Sequence, residues 1–108
     1  MSFVLKKVFS YKWPVAVDLP VDGGSFKKET FTAVFKKMSR SAFNDLIEQG
    51  DDALIAEIVE GWEGIKDEDG KDVAYSDKTR SQLFDDPYVL RAVINAYTES
   101  LLGAQAKN

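Results

Sequence analysis

Residues Ala53–Ile65 read Ala-Leu-Ile-Ala-Glu-Ile-Val-Glu-Gly-Trp-Glu-Gly-Ile. Leu54, Ile55, Ile58, Val59 and Trp62 recur at steps of three and four, the period of a helix with one broad apolar side. The spacing predicts a helix whose stripe ends on Trp62, with Gly61 and Gly64 stopping it and turning the backbone away. A large aromatic at a helix end, between turn signals, reads as a core anchor rather than a ligand-stacking group. The remaining apolar stripes of the chain then have to pack against this one.

Upstream, the period changes from helical to alternating. Trp13, Val15, Val17 and Leu19 fall on one side of Lys12–Leu19, and Lys12, Pro14, Ala16 and Asp18 on the other, which is a half-buried strand. Pro14 cannot donate to a ladder, so the strand is predicted to lie at an edge or to be bulged there. Asp22-Gly23-Gly24 is a turn signal. Phe31, Ala33 and Phe35 then alternate with Thr30, Thr32 and Val34, completing a β-hairpin over residues 12–37. Both apolar sets are odd-numbered, so facing residues must sum to an even number. A three-residue loop satisfies this by pairing Val15 with Phe31 and Trp13 with Ala33, with Gly24 in the left-handed position of a bulged turn; a five-residue loop satisfies it too. Residues 1–11 mix Phe3, Val4, Leu5, Val8 and Phe9 with Lys6-Lys7, and both a first strand and an arm remain open.

Downstream of the hairpin, residues 39–103 read as about four helices. Ser39 or Ser41 caps the first, with Phe43, Leu46 and Ile47 as its stripe and Gly50 as its stop. Asp51 or Asp52 is expected to cap the second, and acidic residues suit its N-terminus. Ser76 caps a third that contributes Leu83 and Phe84. Asp85-Asp86-Pro87 opens the last, with an acidic cap and proline in the first turn, where its missing N–H does no harm. That helix is expected to reach Leu102 with Val89/Leu90, Val93/Ile94, Tyr97 and Leu101 as its stripe; Gly103 ends it and residues 104–108 are a frayed tail. The fold class is therefore α+β in a single domain, 1–108: an N-terminal hairpin followed by a mostly helical part. A lone hairpin is marginal in water, so either the helices cover its apolar face or a third strand joins it, from the arm, from the segment after Trp62 or from another subunit.

Composition narrows the chemistry. The 108 residues are 44% hydrophobic and 30% charged, with net charge −4. That balance argues against a nucleic-acid partner, because a phosphate-binding surface needs a basic patch. The sequence contains no cysteine and no histidine, which removes thiol nucleophiles, disulfides, imidazole bases and the common zinc sites. No stretch approaches the ~20 apolar residues of a membrane span, and Ser-Phe-Val-Leu-Lys-Lys lacks the order of a signal peptide. A cytoplasmic protein with no membrane partner is expected.

Local constellations do not supply an active site. If Gly70 is placed at position 6 of a calcium loop, Ile65 falls at position 1 and Ser76 at position 12, where carboxylates are required. Asp67–Asp72 instead reads as a solvated turn. Asp51/Asp52 and Asp85/Asp86 stand where helix caps belong, and no histidine activates Ser39, Ser41 or Ser76. Gly23-Gly24 lacks the strand–loop–helix context of a phosphate cradle. The expectation is a non-enzyme without cofactor or metal. What remains is surface for partners: the arm with Phe3, Leu5, Val8 and Phe9, the hairpin edge, and the last helix with Tyr88, Tyr97 and Leu102. Aromatic residues are enriched at interfaces, and ordinary core packing is the equal alternative for each. Apolar residues on the arm and a short hairpin also suggest a homo-oligomer.

Taken in order, several segments resemble the tail assembly chaperones of long-tailed bacteriophages. They are Val21-Asp22-Gly23-Gly24, Thr30-Phe31-Thr32-Ala33-Val34-Phe35-Lys36-Lys37, the capped helix Ser39–Gly50, Val59-Glu60-Gly61-Trp62-Glu63-Gly64-Ile65, the acidic turn Asp67–Gly70, Asp86-Pro87-Tyr88-Val89-Leu90-Arg91-Ala92-Val93, and the helix bearing Tyr97. The resemblance covers about Lys12 to Leu102. It implies a non-catalytic protein of the infected host's cytoplasm that holds the tape measure protein and helps recruit tail tube subunits during morphogenesis. The alternative is a small structural tail component, a tube or completion protein, and presence in purified virions separates the two. Many such chaperones are made in two lengths by ribosomal slippage, and the ending Ala106-Lys107-Asn108 is compatible with a slippery A-AAA-AAC run. The codons of the gene would decide this; an overlapping downstream frame followed by a very long helical protein would bear on the chaperone assignment itself.

Overall fold

The computed structural model describes residues 2–5 and 9–102. Three strands and four helices are formed among them: β1 (Ser10–Val21), β2 (Ser25–Lys36), α1 (Arg40–Gln49), α2 (Asp51–Ile58), β3 (Val59–Glu63), α3 (Asp77–Phe84) and α4 (Pro87–Leu102). The architecture is α+β, a three-stranded antiparallel sheet in the order β1-β2-β3 with helices packed on one face.

The hairpin has the three-residue loop. Val15 faces Phe31 and Trp13 faces Ala33, and Gly23 and Gly24 both take the positive φ that the turn needs, +93° and +85°. Strict alternation then places the odd residues of both strands on the core face, where Val15, Val17, Ala33 and Phe35 are buried. Pro14 is on β1, which has a strand neighbour on one side only, the setting in which a residue without an N–H is tolerated.

The quoted stretch is the main correction. The helix stops at Ile58, and Val59–Glu63 is the third strand, antiparallel to β2. Val34 pairs with Gly61 but Phe35 pairs with Val59, so Glu60 is the extra residue of a β-bulge. In an unbroken strand Val59 and Trp62, three apart, would point to opposite faces. The bulge shifts the phase by one residue, and both are buried. A bulged strand thus reproduces the three-residue spacing of a helix. The third strand comes neither from the arm nor from after Trp62, but contains Trp62 itself.

The helices begin and end as local chemistry requires. The Ser39 hydroxyl accepts from the Ala42 N–H at 3.2 Å at the start of α1. Gly50, at φ +110°, closes α1 by donating to the carbonyls of Leu46 and Ile47 and also stands at the N-cap of α2. Asp51 and Asp52 are therefore not the cap; they occupy the first turn, where carboxylates meet the positive end of the helix dipole. Ser76 and Thr79 form a capping box at α3. At α4 the Asp86 carboxylate accepts from the Tyr88 N–H at 2.9 Å, with Pro87 in the first position.

Helix α4 lies across β1. Val89, Val93, Ala96 and Tyr97 form its buried side and join Leu54, Ile55, Ile58, Val59, Trp62 and Phe84 in one core over the odd face of the hairpin. Leu101, expected on that stripe, is 46% exposed. Trp62 meets Tyr75 edge-on at 5.0 Å and donates its indole N–H to the Val73 carbonyl at 2.7 Å, which is how a buried tryptophan keeps its polar atom satisfied. The Asp67–Asp72 segment is a turn: Asp67 Oδ1 accepts from the N–H groups of Asp69 and Lys71, and Gly70 has φ +80°. Gly103, the tail 104–108 and the slippage end lie outside the described residues. No helix among the described residues is long and apolar enough to cross a membrane.

Candidate partner-binding surface

The seven residues singled out from the sequence separate into distinct places. Phe3 and Leu5 are 87% and 75% exposed on the segment before β1. Phe9 stands at the end of the sheet, where its carbonyl accepts from the Lys37 N–H at 2.8 Å. Its ring leans on Tyr11 at 5.8 Å, and Lys37 Nζ lies 5.5 Å from the ring centroid. Leu102 is exposed at the last position of α4 and Tyr88 is exposed in its first turn. Val8 lies outside the described residues.

Tyr97 has to be withdrawn from this set. It is 1% exposed, meets Phe35 edge-on at 5.1 Å and Phe43 at 5.8 Å, and donates its hydroxyl to the Lys36 carbonyl at 2.9 Å. Burial pushes its phenol up to about 12; Tyr11 nearby adds to the rise, and a backbone hydrogen bond from Met38 works against it. The Tyr11 hydroxyl is joined to the same end of α4. Ser100 gives its proton to the Tyr97 carbonyl at 2.6 Å, which leaves Tyr11 as donor in the 2.7 Å contact with Ser100. Tyr97 thus joins α4 to the sheet.

The hairpin runs further than β3 does. β3 pairs only with Thr32–Phe35, so the distal half of β1–β2 has no third strand beside it. On the even face of this projecting half, Phe26 is paired with Pro20 and is 64% exposed. Between this face and α4 runs an open groove of about 510 Å³, lined by Ala16, Asp18, Pro20 and Phe26 from the hairpin and by Tyr88, Arg91, Ala92 and Asn95 from α4. Arg91 has no ion pair among the described residues. The lining is mixed: Pro20, Phe26, Tyr88 and the two alanines share it with Asp18, Arg91 and Asn95.

Phe26 and Arg91 were absent from the sequence-derived set, although a signal existed for one of them. Phe26 is even-numbered in a strand whose core residues are odd, so parity alone sends it to the solvent face. Nothing comparable marked Arg91, since a single arginine on a helix flank has no pattern.

Other hollows have different chemistry. One between α2 and α3 is lined by Asp52, Ile55, Ala56, Arg80, Ser81, Phe84 and Asp85. Its arginine is already engaged, by the Tyr75 hydroxyl at 3.1 Å and by Asp77 at 3.7 Å. Among the described residues no group of three acidic, cysteine or histidine side chains is placed to hold a metal ion. Set against protein-family models, curated proteins and solved structures, the chain matches none of them.

Proposed function

We propose that this chain is a non-catalytic tail assembly chaperone of a long-tailed bacteriophage. In this reading it acts in the host cytoplasm, holds the tape measure protein, and helps tail tube subunits gather around it. The resemblance of residues 12–102 to that family supports the reading. The observation that carries it in the structure is the groove between the projecting hairpin and α4. Phe26 and Tyr88, on two different elements, are both exposed and line one groove, with Asp18, Arg91 and Asn95 as its polar members.

A long helical client offers matching features. An amphipathic helix presents anchors at i, i+3/i+4 and i+7 to such a groove, and an acidic residue on its flank would meet Arg91 in a bidentate pair. A chaperone of this kind shields apolar surface that would otherwise aggregate, and it needs no reacting group.

Co-expression with the tape measure protein encoded nearby tests the proposal. A soluble complex that co-purifies, with the client largely insoluble when expressed alone, is the expected result. Phe26→Ser combined with Tyr88→Ser should reduce capture at least tenfold while the melting temperature holds. A client that stays insoluble with no complex detected would overturn the reading. So would recovery of this chain from purified virions, which would make it a structural tail component.

A further inference from the structure

The segment before β1 carries three of the most exposed large apolar side chains: Phe3, Val4 and Leu5 are 87%, 70% and 75% exposed. A few residues on, at the point where the chain enters the sheet, lies an apolar groove of about 330 Å³. Phe9, Tyr11, Trp13 and Leu101 line it, with Lys37 and Ser100 beside them. Exposed apolar residues and an apolar groove that no described residue fills are thus neighbours in sequence.

The arm does not fill the groove of its own chain, since Phe3, Val4 and Leu5 stand in solvent there. Six steps of chain, from Phe9 to Phe3, can reach about 20 Å, enough to meet a second molecule.

Area is adequate for a second copy. A buried aromatic removes about 150–250 Å² from water. Two arms, each burying Phe3, Val4 and Leu5, together with the two grooves receiving them, reach the order of 1,200 Å² at which specific interfaces begin.

We propose that two copies of this chain exchange arms across a two-fold axis, with Phe3, Val4 and Leu5 of each seated in the Phe9–Tyr11–Trp13–Leu101 groove of the other. The contact is isologous, so it closes at two and does not propagate into a filament. It leaves the Phe26–Tyr88 groove to another occupant.

Light scattering on the full chain, over a wide concentration range, should give a dimer. Phe3→Asp with Leu5→Asp should weaken it at least tenfold with an unchanged far-ultraviolet circular dichroism spectrum. The natural sequence has no cysteine, so disulfide mapping has no background. A mixture of Leu5→Cys protein and Leu101→Cys protein, mildly oxidised, should yield a covalent dimer containing one of each. A monomer at every concentration would overturn the proposal, as would a dimer indifferent to the two aspartates. The double variant, Leu5→Cys with Leu101→Cys, separates the remaining case: a bond formed within one chain, with no linked dimer, would place the arm on its own body and overturn the exchange.

Discussion

The two ends of the β1–β2 hairpin are built from the same alternating code and live in different surroundings. At the end near Tyr11 and Phe35, β2 has a strand on either side, and α4 crosses the odd face. Phe35 is fully buried there, edge-on to Tyr97 at 5.1 Å and to Tyr11 at 6.0 Å. At the other end β3 is gone, residues 20–30 are all exposed, and Phe26 projects into solvent beside Tyr88. One continuous ladder therefore joins a region that stabilises the molecule to a region that contributes little to stability. The second kind of surface is free to meet a partner, because no core contact is lost when its side chains change.

The sharpest way to break this contrast is at the packed end. Phe35→Ala removes a ring that three elements enclose and leaves a cavity, which costs about 3–5 kcal/mol. Urea unfolding should show a midpoint shift of that size with little change in slope. A loss under about 1 kcal/mol would mean that the base is no better packed than the tip.

Tyr97 tests the same end through pH. Its phenol is pushed up to about 12 in the folded protein, against about 10 in the unfolded chain. Between those values the unfolded state releases the proton first, so folding is opposed as the pH rises. The contribution is intact below about pH 10 and lost progressively toward pH 12, amounting to about 2–3 kcal/mol. Tyr97→Phe should flatten that slope, apart from the titration of lysines that both proteins share. It should also cost about 1 kcal/mol at neutral pH for the hydrogen bond to Lys36. Parallel slopes for the two proteins between pH 10 and 12 would show that Tyr97 is not the group responsible.

Much of this organisation could be read from residue order, and the exceptions have physical causes. Parity over Trp13–Leu19 and Phe31–Phe35, together with Asp22-Gly23-Gly24, narrows the register to a three- or five-residue loop, and the observed pairs are those of the shorter. Ser39, Ser76 and Asp86 announce their helices because a cap is a local device. The stretch from Val59 to Trp62 has the spacing of a helix and forms a strand, because a bulge at Glu60 is not a local device. It depends on β2 lying alongside, and it puts residues three apart on the same face. Tyr97 was legible as part of a helical stripe, but no sequence pattern distinguishes an aromatic that anchors a sheet from one that meets a partner. The arm residues Phe3 and Leu5 drew notice as apolar groups without a place, whereas the groove beside them exists only once α4 has packed.

At the loop itself a smaller effect is expected. Gly24 has φ +85° with no atom within 4 Å of where a Cβ would stand. Gly24→Ala therefore meets no steric obstacle, and its cost is the left-handed backbone alone, about 1–2 kcal/mol. Gly24→Asn should recover part of that loss, since asparagine tolerates this conformation. Equal losses for alanine and asparagine, measured by thermal unfolding, would indicate that something other than φ is being felt.

The smallest expected change in stability is at Phe26, and it separates the two ends of the hairpin most cleanly. Phe26 is on the even face, 64% exposed and cross-strand from Pro20. Truncating it exposes no core atom and leaves the ladder intact, so Phe26→Ser should alter stability by no more than about 0.5 kcal/mol. The same substitution removes one of the two rings in the groove with Arg91. At interfaces, buried aromatics carry a disproportionate share of affinity, about 2 kcal/mol or more each when they are central. A client that uses this groove should therefore bind roughly thirtyfold more weakly to a protein whose unfolding curve is unchanged. Phe35→Ala should do the reverse, lowering the unfolding midpoint while the remaining folded fraction binds with ordinary affinity, because Phe35 does not line that groove. Titration calorimetry alongside thermal unfolding on the two variants reads both quantities. If Phe26→Ser destabilises the fold by as much as Phe35→Ala, the tip is part of the core. If it leaves both stability and client affinity untouched, the groove is not where the client sits.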